Sequence, residues 1–336
     1  MSHSGSPTTS VQPTKETPSA RGKWYWAKTT FTIAFFILVP VLLFMLIKNI
    51  EWVEVTAALR EYHVKTLLIG AGIALTSYLV FASYDLIGRQ YTGHSLPVRQ
   101  VLPLAFVCYA FTLNLTAWVG GIALRFRLYS RLGLDAPTIT KILSLSLITN
   151  WLGYIILTGV LFSFRMVELP DKVKIGSTAL QLIGIVLLLL AATYFWACRF
   201  SKRRSFHFRD HEITLPDVKL AFAQAGLAMI NWMLMGLLIY TLMPDKVTYQ
   251  TVLGILLISS IAGVVTHIPA GLGVLEAIFI TMLHHQLSKG SILAALIGYR
   301  ILYFLMPLAI ACIIYFIFEA RAKKMLGTNQ QHEAKQ

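Results

Sequence analysis

Charge is scarce in this chain, and acidic charge is the scarcest. Of 336 residues only 13% are charged, with 15 Asp and Glu against 29 Lys and Arg. A soluble domain of this size carries about a quarter charged residues, so a water-soluble globular enzyme is excluded. Cysteine is sparse too. Cys108, Cys198 and Cys312 fall in or beside apolar stretches without metal-ligand spacing, which argues against a disulfide framework or a thiolate metal site. Catalytic signatures are also missing: there is no Gly-x-Ser-x-Gly elbow, His-Glu-x-x-His pair or P-loop. His284-His285 lacks the third ligand a metal site needs. The expectation is a non-enzyme that needs no cofactor or metal.

Apolar length is what the chain has in abundance. Hydrophobic residues make up 56% of it, and mean hydropathy is +0.67. Runs of ~20 apolar residues recur, as in a polytopic membrane protein. Eight apolar segments are read at about 29–47, 66–86, 101–121, 142–163, 175–197, 218–242, 250–286 and 291–318. Residues 1–22 are rich in Ser, Thr and Pro and read as a disordered tail, not a signal peptide. Arg21, Lys23, Trp24, Tyr25, Trp26 and Lys28 then form a basic, aromatic collar suited to a membrane interface. The single membrane domain runs over 23–320, and 321–336 is again polar. The net charge of +14 fits loops facing the cytoplasm and anionic lipid, and no nucleic-acid partner is expected. The longest loop, about 199–217, reads as a basic, lipid-facing strip.

Two segments are irregular. The third ends in Trp118-Val119-Gly120-Gly121 and runs into Arg125, Arg127 and Arg131. The seventh is too long for one span and is interrupted by Thr266-His267-Ile268-Pro269-Ala270-Gly271-Leu272-Gly273-Val274-Leu275-Glu276. Backbone released by Pro and Gly is tolerated at membrane depth only where protein or a water-filled cavity satisfies it. If both segments span, loop Lys and Arg divide 14 to 14 across the membrane. If both are re-entrant, 20 lie inside against 8 outside, with Arg300 within a span. The positive-inside rule selects the second arrangement, with both termini cytoplasmic.

The predicted fold is therefore all-α and integral to the membrane: six transmembrane spans plus two opposed re-entrant helical hairpins. Residues 29–163 and 175–318 then form an inverted repeat. Trp118–Arg125 and Pro269–Glu276 align in length, placing Gly120 on Gly271 and Arg125 on Glu276. Inverted repeats with matched helix breaks place a transporter's binding site near the midplane.

Ionisable groups at this depth are functional candidates by default. Glu276 opens the returning limb; it is either a capping acid or a carboxylate coupled to substrate or protons. Arg300, about ten residues into the last span, needs a partner, for which Glu276 is the obvious choice. It either locks two elements together or grips a phosphate bidentately. Arg125 lies deepest on the first returning limb and is expected to face Glu276 across the pseudo-symmetric centre. Arg127 and Arg131 are expected at the cytoplasmic surface on anionic headgroups, and Asp85 at the same interface. Asn114 either satisfies broken backbone or lines the site. His267 is either a hydrogen-bonded structural residue or a proton relay.

His267-Ile-Pro-Ala-Gly-Leu-Gly-Val-Leu-Glu276, followed by Tyr299-Arg300 and Pro307, resembles the lysylphosphatidylglycerol synthase transmembrane-region family. That family includes the flippase-like half of the bacterial multiple peptide resistance factor and stand-alone relatives. Asn114, Gly120-Gly121 and Arg125 resemble its first motif, with Ala117-Trp118 standing where a proline is usual. The resemblance spans roughly 28–320. It implies handling of polar phospholipids, with an anionic or aminoacylated headgroup, at the bacterial inner membrane. No aminoacyltransferase domain accompanies it here, so synthase activity is not implied. The expected site is Asn114, Arg125, His267, Glu276 and Arg300, with breaks at Gly120, Gly121, Pro269, Gly271 and Gly273. A translocase is the first reading. A non-transporting partner of a lipid-synthesis or envelope complex, and an intramembrane lipid-modifying enzyme, stand as alternatives. A lipid-synthesis enzyme or a second copy of the chain remain possible protein partners.

Overall fold

The computed structural model describes residues 62–115, 121–167, 177–200, 205–208, 211–244, 247–266 and 273–333, with Val53 and Arg60. The tail 1–22, the basic collar and the segment at 29–47 lie outside the described residues, as do Gly120, His267, Pro269 and Gly271.

The described chain is helical. In order it comprises α1 (Val64–Thr92), α2 (Val98–Asn114), α3 (Leu124–Arg131), α4 (Ala136–Ser163) and α5 (Ser177–Phe200). After these come α6 (Val218–Leu242), α7 (Tyr249–Thr266), α8 (Val274–Leu283), α9 (Lys289–Arg300) and α10 (Met306–Glu333). A π-helical segment, Ile301–Leu305, joins α9 to α10 without a break. Six of these helical stretches are long and apolar enough to cross a membrane: 64–92, 136–163, 178–200, 218–242, 249–266 and 289–319. Two shorter apolar helices, Val98–Asn114 and Val274–Leu283, sit beside them. The chain is thus an all-α integral membrane protein.

Local chemistry sets several boundaries. α1 ends at Gly93, whose φ of 71° allows its N–H to reach Arg89 O. α9 begins where Ser288 accepts a hydrogen bond from the Ser291 N–H. The stretch 249–266, read as the limb of a re-entrant hairpin, is a helix of 18 residues. The polar residues after 320 continue the last helix to Glu333. The loop 199–217 contains a two-stranded antiparallel hairpin, Ser205–Phe208 with His211–Thr214, which period-2 patterning over so few residues does not reveal.

α1 and α6 lie along each other, and each packs on the helix that follows it before a discontinuity, α1 on α2 and α6 on α7. α4 rests on α5 and α6. Close approach there depends on small residues, as between membrane helices generally. A Cβ on Gly153 would stand 2.6 Å from the Ala228 carbonyl carbon of α6, and one on Gly184 would stand 2.6 Å from the Ser163 backbone nitrogen. Buried polar groups add interhelical hydrogen bonds. Gln224 of α6 donates to Thr149 Oγ1 at 2.7 Å and accepts from the Tyr194 hydroxyl at 2.9 Å, tying α4, α5 and α6.

Candidate functional site

Two helix discontinuities organise the site. α2 stops at Asn114, and the described chain resumes at Gly121 in a single π turn leading into α3. α7 stops at Thr266 and resumes at Gly273, whose φ of 80° is open to glycine but costly for a side chain. The Gly273 N–H donates to Glu276 Oε2 at 2.8 Å. Glu276 thus caps its own helix, and its charge complements the positive end of α8.

The same carboxylate holds Arg300. The guanidinium donates twice, Nε to Oε1 at 2.6 Å and Nη2 to Oε2 at 3.1 Å, the fork geometry that also suits a phosphate. Arg300 Cζ stands 5.7 Å from the Phe304 ring centroid. The two side chains are 15% and 20% exposed, less enclosed than the Asp85–Arg125 pair at 0% and 4%. Asn114 arrives from the first discontinuity. Its amide nitrogen donates to Ala110 O at 2.8 Å and to Phe304 O, in the π segment, at 3.2 Å. The structure therefore pairs Glu276 with Arg300 and ties Asn114 to the π segment that follows Arg300.

Arg125 goes elsewhere, contrary to the expected Arg125/Glu276 pairing. Its Nη2 meets Asp85 Oδ1 at 3.1 Å, and the Tyr129 hydroxyl donates to Asp85 Oδ2 at 2.8 Å. The Asp85 side chain is fully buried and that of Arg125 is 4% exposed, because Arg125 and Tyr129 of α3 close over the carboxylate. Arg127 and Arg131 both face a carboxylate, and Arg131 remains 38% exposed. Arg131 pairs with Glu319 of α10 through Nη1 at 2.5 Å and Nη2 at 3.2 Å, and Arg127 Nη2 stands 3.7 Å from the same carboxylate. The two residues are 188 positions apart in the chain. His284 and His285 cap and follow α8 and are exposed. Among the described residues no group of three or more His, Cys, Asp or Glu is placed to hold a metal.

A buried cluster of hydroxyl groups was not anticipated. Ser77 Oγ bonds Asn231 Oδ1 at 2.8 Å and the Tyr303 hydroxyl at 2.9 Å; that hydroxyl meets Tyr109 OH at 2.9 Å. Tyr78 OH donates to Tyr303 O at 2.9 Å. The cluster joins α1, α2, α6 and the π segment. The available sequence signal was isolated polar residues in apolar spans, Ser77 and Asn231 above all. On the opposite face of α8 from Glu276 lies an apolar groove of about 720 Å³, lined by Tyr154, Phe162, Ile183, Ile258, Ile278 and Met282 among others.

Residues 31–311 match the family described as the lysylphosphatidylglycerol synthase TM region. The chain belongs to that family. It is 48% identical over 309 residues to inner membrane protein YbhN of Escherichia coli (strain K12), covering 92% of this chain and 97% of that one. Protein slr0712 of Synechocystis is 29% identical over 280 residues, covering 80% and 84%. A phosphatidylglycerol lysyltransferase of Staphylococcus haemolyticus is 24% identical over 310 residues, which are 88% of this chain but 35% of the lysyltransferase. The family is defined by a membrane region, and the chain spans about a third of that last relative.

Proposed function

We propose that the chain is a phospholipid translocase of a bacterial inner membrane, with Glu276 and Arg300 at its headgroup site. The observation that carries this reading is the Glu276–Arg300 pair: bidentate, partly exposed, and set beside a helix break in otherwise apolar surroundings. A lipid phosphodiester is chemically a substitute for the carboxylate, because both accept two parallel N–H donors from one guanidinium. The headgroup would take Arg300 from Glu276 while the acyl chains stay in lipid. Protonating Glu276 weakens both its hold on Arg300 and its cap on the Gly273 N–H, which links proton uptake to loosening of the second break.

In this reading α2–α3 and α7–α8 are opposed re-entrant hairpins of an inverted repeat, with both termini cytoplasmic. Support comes from the 20-to-8 division of loop charge. The matched packing of α1 on α2 and α6 on α7 around the α1–α6 pair supports it as well. An anionic or aminoacylated phospholipid is the favoured substrate class, consistent with the lysyltransferase relative, and the inner membrane with YbhN.

The test uses purified full-length protein in proteoliposomes containing labelled phospholipid. Glu276→Gln and Arg300→Ala should fold and fail to flip the label. Flipping at the wild-type rate by either variant sinks the proposal. Absence of flipping by the wild type, with an enzyme co-purifying stably, favours a non-transporting partner role.

A further inference from the structure

We propose that Asn114 and Tyr78 are positioning residues for Arg300, acting through the π-helical segment Ile301–Leu305. This rests on the reading of Arg300 as the headgroup-binding group.

A π turn inserts one residue into a helix and releases backbone carbonyls from their usual partners. In an apolar interior such a carbonyl must find another donor or carry a desolvation cost. Here the donors come from outside the helix. Tyr78 OH of α1 bonds Tyr303 O at 2.9 Å, and Asn114 of α2 bonds Phe304 O at 3.2 Å. Both side chains are buried. Asn114 spends its second N–H on Ala110 O, which fastens the last turn of α2 to the same point.

The consequence is rotational. One residue of helix corresponds to a turn of about 100°. If the π segment reverts to regular α-helix, everything before it rotates by that amount relative to everything after it. α10 is packed on α2, with Phe111 against Tyr315 at 6.0 Å between ring centroids. Arg300 lies immediately before the π segment and its guanidinium must meet Glu276 of α8. Both contacts hold together only while the inserted residue is in place. Asn114 is also the final residue of α2, at the edge of the first discontinuity. A change there is therefore passed through Phe304 O to the ion pair beside the second discontinuity.

The experiment reads how well Glu276 is covered by Arg300, using a hydrophobic carbodiimide that labels intramembrane carboxyl groups. The full-length protein in nanodiscs is treated at fixed pH, and labelling of the Glu276 peptide is quantified by mass spectrometry. Arg300→Ala supplies the uncovered reference. Tyr78→Phe, which removes a single hydroxyl, and Asn114→Leu should each raise labelling roughly three- to tenfold over wild type, as expected for loss of one hydrogen bond that sets the geometry. Neither should raise it further in an Arg300→Ala background. Labelling at the wild-type level in both variants, or in Arg300→Ala itself, overturns the proposal, as does an additive rise on the Arg300→Ala background. Should Asn114→Leu fail to fold, Tyr78→Phe carries the test. A merely structural role lowers thermal stability and leaves the labelling unchanged. Because the readout needs no transport, a wild type that labels as expected but moves no lipid refutes the translocase reading and leaves the positioning role standing.

Discussion

Replacing Asp85 by Asn asks whether the two ion pairs have different roles. The Asp85–Arg125 contact is 3.1 Å with side chains 0% and 4% exposed. At that distance and an effective dielectric of about 20, the attraction is roughly 5 kcal/mol. Asp85→Asn keeps the shape and an acceptor for Tyr129 but strands the Arg125 charge. Breaking one side of a buried pair costs ~3–5 kcal/mol. With a Tm response of about 2 °C per kcal/mol for a domain of about 300 residues, the fall is roughly 6–10 °C. Glu276→Gln keeps an acceptor for Arg300, and the pair is less enclosed, with side chains 15% and 20% exposed, so its cost should be smaller, about 1–2 kcal/mol or a few degrees. Removing both buried charges, as Asp85→Leu with Arg125→Met, should recover most of the loss, because apolar replacement of a whole pair is often neutral. The assay is thermal unfolding in nanodiscs followed by tryptophan fluorescence. Equal shifts for Asp85→Asn and Glu276→Gln refute the reasoning. So does a double variant less stable than Asp85→Asn alone.

Two further outcomes follow from the packing and the loops. Gly153→Ala should destabilise by about 1–3 kcal/mol through overpacking against Ala228, whereas Gly226→Ala, with open space around its Cβ position, should be neutral or gain up to about 1 kcal/mol in helix propensity; thermal unfolding separates the two. His94, between α1 and α2, accepts the Leu96 N–H at Nδ1. Burial, and then the nearby Arg89 charge, hold its pKa below the ordinary 6.5, against a smaller opposing pull from Asp85. The unfolded chain therefore binds more protons than the folded one below about pH 6.5, so stability is full above that pH and is lost as pH falls toward the lowered folded value. His94→Asn should flatten that part of the Tm–pH profile; an unchanged slope counts against the assignment.

The charges with the strongest sequence signal were those in broken or apolar context. Glu276 stood out because it follows Gly271 and Gly273, and Arg300 because no aqueous boundary lies near it in the chain. Their contact followed from each needing a partner. The burial of Asp85 was not legible for the opposite reason. It lies near the end of an apolar run, where a carboxylate ordinarily reaches water, and only contact with Arg125 and Tyr129 of α3 encloses it. Arg131 and Glu319 show the same limit: each looks like an interface residue alone, and packing of α10 near α3 makes them a pair.

Composition and hydropathy were sufficient by themselves to establish an all-α membrane protein, because apolar length is a local property that lipid reads directly. Glycine marked some helix ends, as at Gly93 and Gly273 with their positive φ, because it acts on its own backbone, but Pro103 sits inside α2 and Gly153 inside α4. Which arginine met which carboxylate was decided only in three dimensions. So was the π segment, held by Asn114 and Tyr78 from 190 and 225 residues away. Partner choice depends on which helix faces touch, and no one-dimensional period encodes that.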